Sequence, residues 1–259
     1  MSEIFFSHAN GFPARTYEVF FHHLQPHTVS YVDVFGLGEY QPGKTWRPMV
    51  QELIENVETR SQQRVWGLGH SFGGVLTLWA AIERPDLFKG IIMLDPPIFP
   101  WWFRLGMGIV HSLGISEKVI PIAKKASRRR EKFDSRNEAY HYWKNKSLFK
   151  AFDPEAFDAY INYGLKPSPS GGFELTIPRS LESKLFATTP AKIGNTKPTV
   201  PSYYMYATQG VVPVKNIHQQ QRIFSKTTFI PFEGQHMFPL EQPEKTAAFI
   251  KNIISGHVN

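Results

Sequence analysis

Cysteine is absent from the chain, which removes disulfides, thiolate metal sites and cysteine nucleophiles. The same absence fits a reducing compartment, and a cytoplasmic location is the expectation. The first residues, Met1-Ser2-Glu3-Ile4-Phe5-Phe6-Ser7-His8, lack a basic segment followed by an apolar stretch, so no signal peptide is expected. Long apolar runs are lacking too. The richest stretch, residues 90–115, is interrupted by Asp95, three prolines and Arg104, and no stable membrane insertion is expected. There is no Cys/His cluster, no His-Glu-x-x-His run and no glycine-rich phosphate loop, so neither a metal nor another cofactor is expected. Internal repeats and low-complexity linkers are also missing.

Acidic residues are in the minority, 22 against 29 Lys and Arg, giving a net charge of +7. The densest basic cluster is Lys124-Lys125-Ala126-Ser127-Arg128-Arg129-Arg130-Glu131-Lys132. It is brief, contains an acid and matches no nucleic-acid motif. We read it as a solvated helix face and expect no nucleic-acid partner.

What is present is a chain of 259 residues, 42% hydrophobic, which suffices for one large α/β domain with an insertion or for two small ones. Its organising stretch is Leu68-Gly69-His70-Ser71-Phe72-Gly73-Gly74. An apolar run, Arg64 to Leu68, turns here into the helical pattern Val75 to Ile82. A strand that turns sharply into a helix at G-x-S-x-G lifts the serine hydroxyl out of a strained turn. The helix N-terminus then faces the place where an oxyanion would form. Ser71 is the candidate nucleophile.

Around it, Glu3 to His8 reads as a first strand and Val29 to Val34 as a second. Thr45 to Arg60 reads as a helix that tolerates Pro48 in its first turn. Gly90 to Leu94 is a further strand. Its continuous apolar run, rather than alternation, indicates burial on both faces, as in a parallel sheet. From Pro96 to Pro198 the rhythm stops, and Lys166-Pro167-Ser168-Pro169-Ser170-Gly171-Gly172 reads as a loop. Strands then return at Ser202 to Ala207 and Thr227 to Ile230, with helices at Val214 to Phe224 and from Pro243. The expected division is a core of residues 1–97 and 199–259 interrupted by a mainly helical cap, 98–198.

A serine hydroxyl needs a base, and the base needs a group to fix its tautomer. His236 follows the last strand, in the loop Glu233-Gly234-Gln235-His236-Met237-Phe238-Pro239, and is the candidate base. His70 either packs or lines the pocket. One oxyanion donor is expected from the Phe72 amide. The other is expected from the loop His8-Ala9-Asn10-Gly11-Phe12-Pro13, with Phe12 first and Asn10 second. Phe99, Trp101, Trp102 and Phe103 either line an acyl pocket or anchor the cap.

These three stretches, His8 to Pro13, Gly69 to Gly74, and Gly234-Gln235-His236 with Glu241-Gln242-Pro243, resemble the α/β-hydrolase superfamily over nearly the whole chain. The resemblance implies a mostly parallel sheet flanked by helices, with an inserted cap. It implies Ser71 as nucleophile, His236 as base, Phe12 and Phe72 as oxyanion donors, hydrolysis of a small-molecule ester or related acyl bond, and no cofactor. Haloalkane dehalogenases and epoxide hydrolases of this fold carry aspartate at the elbow, which Ser71 argues against.

The chain departs from the family's pattern in two places. Its first strand stands where the family's third usually does, so a smaller sheet is expected. The loop after Tyr203 to Ala207, which usually carries the acid, reads Thr208-Gln209-Gly210-Val211-Val212-Pro213 and holds no carboxylate. Some members carry the acid one strand earlier. Here that position is Asp95, with Asp33 and Glu233 as the other nearby acids. The expected activity is cleavage of carboxylic esters of small or medium acyl groups. The alternatives are lactone, thioester or carbon–carbon bond hydrolysis, and a ligand sensor that keeps the site without turnover.

Overall fold

The computed structural model describes residues 1–98, 106, 110, 116–188 and 197–257. Strand β1 (Glu3–Ser7) leads through a loop and a 3-10 turn (Ala14–Tyr17) into helix α1 (Glu18–His23), then β2 (Thr28–Tyr31). Helix α2 (Arg47–Arg60), β3 (Val65–His70), α3 (Phe72–Glu83) and β4 (Phe88–Leu94) follow. After the middle segment come β8 (Ser202–Gln209), α9 (Val214–Ile223), β9 (Thr227–Gln235), the short α10 (Phe238–Glu241) and α11 (Pro243–Ile254). These strands form one sheet in the order β2-β1-β3-β4-β8-β9, with every pairing parallel.

The inner strands β1, β3 and β4 bury both faces, and successive residues divide between two apolar layers. Ile4, Phe6, Ile92, Leu94 and Met205 pack into one layer with Phe20 of α1, Leu24 just after it, and Ile250 and Ile253 of α11. Phe5, Ile91, Met93 and Tyr204 pack into the other with Val50, Leu53, Val75 and Leu78 of α2 and α3. The two-residue period therefore sorts side chains between helix layers rather than between core and water. Leu68 lies fully buried in the centre of the sheet. Truncating a buried side chain of that size to alanine costs about 2–5 kcal/mol.

The middle segment contains α4 (Ser116–Val119), α5 (Pro121–Ser127), α6 (Arg136–Trp143), α7 (Pro154–Tyr163) and α8 (Arg179–Ala187). It also holds a small antiparallel sheet of β5 (Lys132–Phe133), β6 (Leu165–Pro167) and β7 (Phe173–Leu175), in the order β5-β7-β6. The expected loop 166–172 is thus partly strand. Pro167 pairs with Phe173, and β6 is an edge strand, where a missing N–H is tolerated. Gly171 and Gly172, at φ 92° and 68°, make the turn. Two further boundaries move. β2 stops at Tyr31, where its pairing with Phe6 of β1 ends, and β9 runs on to Gln235 along β8.

The basic cluster is not a uniformly solvated face. Helix α5 ends at Ser127, and Arg129 turns inward to pair with Glu182 of α8 at 2.8 Å. It also donates to the Tyr160 hydroxyl and stacks over Trp143. Phe149, Phe152, Phe157 and Tyr160 join the apolar layer that holds β1 and α1, so this part of the insertion shares the main core. Among the described residues no helix is long and apolar enough to cross a membrane.

Candidate active site

Ser71 caps α3 with φ 55° and ψ −119°, a conformation that costs about 1–3 kcal/mol in a residue with a side chain. The turn is possible because Gly69 and Gly73 have no side chains. A Cβ on Gly73 would stand 2.0 Å from the Ser7 carbonyl oxygen, and one on Gly69 would stand 2.3 Å from that of Gly73. The Ser71 amide donates to the Leu94 carbonyl at 2.8 Å, which fixes the turn to the end of β4. The amide of Phe72, first residue of α3, has no hydrogen-bond partner among the described residues. It lies at the positive end of a helix of 12 residues.

Directly after β9, His236 lies between two partners. Its Nε2 is 2.9 Å from Ser71 Oγ and its Nδ1 is 2.6 Å from Asp95 Oδ2. Asp95 is fully buried and His236 is partly open. A buried carboxylate accepts, so Nδ1 carries the proton and the bare Nε2 accepts from the serine hydroxyl. In this arrangement the imidazole can take the serine proton, and the carboxylate can hold the resulting cation.

Asp95 itself has a positive φ, 43°. Its amide donates to the Met205 carbonyl at 2.7 Å. Its carboxylate accepts from the amides of Ala207 at 3.1 Å and Val211 at 3.2 Å. The end of β8 and the loop after it hold no acid and instead set one backbone donor each, Ala207 and Val211, against Asp95. Gly210 makes the room, because a Cβ there would lie 2.5 Å from both carboxylate oxygens. Sequence reasoning missed Gly210, and its signal was the glycine in the very loop that lacks a carboxylate. Of the other acids, Asp33 accepts from the Arg15 amide and Glu233 is exposed; neither pairs with His236.

The loop after β1 corrects one expectation. The Phe12 amide donates to the Ala9 carbonyl at 3.1 Å, closing a tight turn, and is not free for an oxyanion. Its ring packs against Tyr160, Phe152 and Phe149, with centroids 5.1, 6.1 and 6.4 Å away. The Asn10 backbone amide has no partner among the described residues. Asn10 Nδ2 donates to the Glu182 carbonyl at 3.0 Å, so its side chain fastens the loop to α8.

His70 corrects another. It is fully buried and presents no surface to a pocket. Both its ring nitrogens are hydrogen-bonded, to the Tyr17 hydroxyl at 2.7 Å and to the His236 carbonyl at 2.9 Å. Burial and the neighbouring His236 hold its pKa well below the usual histidine value. His8 is also buried, with its pKa lowered by burial to about 4. It donates from Nδ1 to the Ala9 carbonyl and accepts the Phe35 amide at Nε2. Phe99, Trp101, Trp102 and Phe103 lie outside the described residues. Among the described residues no group of three or more His, Cys, Asp or Glu is placed to hold a metal ion.

Comparisons with known proteins bear on the family and the fold. A family model described as the alpha/beta hydrolase family matches residues 4–249. A lipase, LipV, from Mycobacterium tuberculosis is 23% identical over 247 residues, covering 89% of this chain and 85% of its own. Among solved structures, E-2-(acetamidomethylene)succinate hydrolase superposes with a TM-score of 0.75 at 16% identity, covering 98% of this chain and 91% of the other. A thioesterase domain from the curacin biosynthetic pathway gives 0.74 at 14% identity, covering 97% and 91%. With the family model spanning nearly the whole chain, and a parallel sheet that delivers a serine, an acid and a histidine in that order, this chain belongs to the alpha/beta hydrolase family.

Proposed function

We propose that the chain is a serine hydrolase cleaving carboxylic esters of small or medium acyl groups through an acyl-enzyme. The observation that carries this reading is the unbroken line from Ser71 Oγ through His236 to Asp95, at 2.9 and 2.6 Å. Ser71 Oγ attacks the ester carbonyl carbon while His236 Nε2 takes its proton. The developing oxyanion accepts from the amide of Phe72 and, in place of Phe12, from that of Asn10. His236 then gives the proton to the departing alkoxide as the carbon–oxygen bond breaks. A water repeats the sequence on the acyl-serine, releasing the acid and restoring the hydroxyl. The likeness to a lipase supports an ester as the substrate. Residues 98–198 are assigned as a cap, joined to the oxyanion loop through the Asn10–Glu182 contact and the Phe12 aromatic cluster.

The test combines chromogenic esters graded in acyl length with an organophosphonate read by mass spectrometry. The phosphonate is expected to label Ser71, and Ser71→Ala is expected to lose labelling and turnover by a factor on the order of 10⁶. Labelling of another serine, or stoichiometric ligand binding with no turnover, would overturn the assignment.

A further inference from the structure

We infer that Tyr17 and His70 form a buried hydrogen-bond relay that positions the base His236 and the oxyanion loop relative to each other. The inference rests on the assignment of His236 as base. The polarity of the relay follows from its end. The His236 carbonyl oxygen can only accept, so the contact at 2.9 Å requires a proton on His70 Nε2. The neutral ring then has a bare Nδ1, which accepts the Tyr17 hydroxyl proton at 2.7 Å. The Tyr17 oxygen keeps lone pairs and receives the Ala9 amide at 3.4 Å. The opposite tautomer would set a bare nitrogen against a carbonyl oxygen. A doubly protonated ring would bury a charge, and burial already holds His70 well below the usual histidine pKa.

Tyr17 and His70 are both fully buried, so water does not substitute for any link. The relay ties three pieces of chain. Ala9 opens the turn that presents the Asn10 amide, His70 immediately precedes the nucleophile, and the His236 peptide carries the base. His8 adds a second grip on Ala9, donating to its carbonyl at 2.8 Å. His70 holds the peptide that carries the His236 ring, so a shift in that backbone moves the ring between Ser71 and Asp95. Misplacement of a reacting group by 1 Å can cost about 100-fold in rate.

Two substitutions of His70 separate positioning from packing. His70→Gln keeps a donor at the distal position, facing the His236 carbonyl. His70→Asn reaches only the proximal position and can serve Tyr17 but not His236. We expect His70→Asn to lose roughly 10- to 100-fold in kcat with little change in KM, and His70→Gln to stay within roughly threefold of wild type. Equal kcat for the two variants would overturn the relay. The wild-type protein supplies a second measurement that needs no variant to fold. Nitrogen-15 spectra should show His70 protonated at Nε2 and bare at Nδ1 at neutral pH, and the reverse tautomer would refute the inference. Absence of ester turnover and of Ser71 labelling in the wild type would instead sink the hydrolase reading, while the tautomer would still decide the relay.

Discussion

Gly210→Ala isolates the least local feature of the site. The added Cβ would stand 2.5 Å from each Asp95 carboxylate oxygen and 2.8 Å from its carbon, whereas real Cβ atoms essentially never come closer than 3.0 Å. Either the loop or the carboxylate therefore moves by at least about half an ångström. Asp95 is held by Ala207, Val211 and His236 at 3.1, 3.2 and 2.6 Å, so a shift of that size lengthens or breaks at least one of these bonds. Gly210 does not have a positive φ, so alanine is compatible with its backbone and the loss falls on the carboxylate. The ceiling is the loss seen when a triad acid becomes an amide, about 10⁴-fold. Half an ångström to one ångström of displacement corresponds to roughly 10- to 100-fold, or about 1.4–2.7 kcal/mol of transition-state stabilisation. The assay is steady-state kcat and KM on a chromogenic ester, with the thermal midpoint measured in parallel. We expect kcat to fall and KM to hold, because Gly210 acts through Asp95. Full kcat in a folded Gly210→Ala protein would show that the carboxylate's place is not set by this loop, and would refute the argument.

Two further outcomes test the surroundings. His8 has a folded pKa lowered from 6.5 to about 4. It is therefore neutral in the native state while the unfolded chain takes up a proton, and its contribution to stability is full above pH 6.5 and lost as pH falls to 4. Denaturant titrations should show about 3 kcal/mol of acid destabilisation in wild type that His8→Asn lacks. Arg129→Met leaves the Glu182 carboxylate, 8% exposed, without its partner and should cost about 3–5 kcal/mol, most of it recovered in Arg129→Met with Glu182→Leu. A double variant no more stable than the single would contradict this account of the pair.

What could be read in the sequence was chemistry carried by neighbouring residues. The elbow is legible because the glycines that permit Ser71's strained turn lie two residues to either side of it. Asp95 is legible because it immediately follows β4, and strand ends place side chains at the edge of a parallel sheet. Pro167 misled because its missing N–H argues against a strand, an argument that holds only for strands paired on both sides. Phe12 misled because motif spacing identifies the loop but not which of its amides closes the turn, a matter decided by the Ala9 carbonyl. Arg129 misled because its partner Glu182 is 53 residues away, beyond the reach of any local charge pattern. The relay was illegible for the same reason. His70 reads as a residue that packs or lines the pocket, and nothing local sets Tyr17, 53 residues away, against it. Gly210 is the instructive case. The loop after β8 reads as one that has lost its acid, yet an acid on the preceding strand needs free volume and backbone donors at this spot. Gly210, between the Ala207 and Val211 donors, supplies the volume and those two amides supply the hydrogen bonds, so a loop without a carboxylate is what the acid at Asp95 requires.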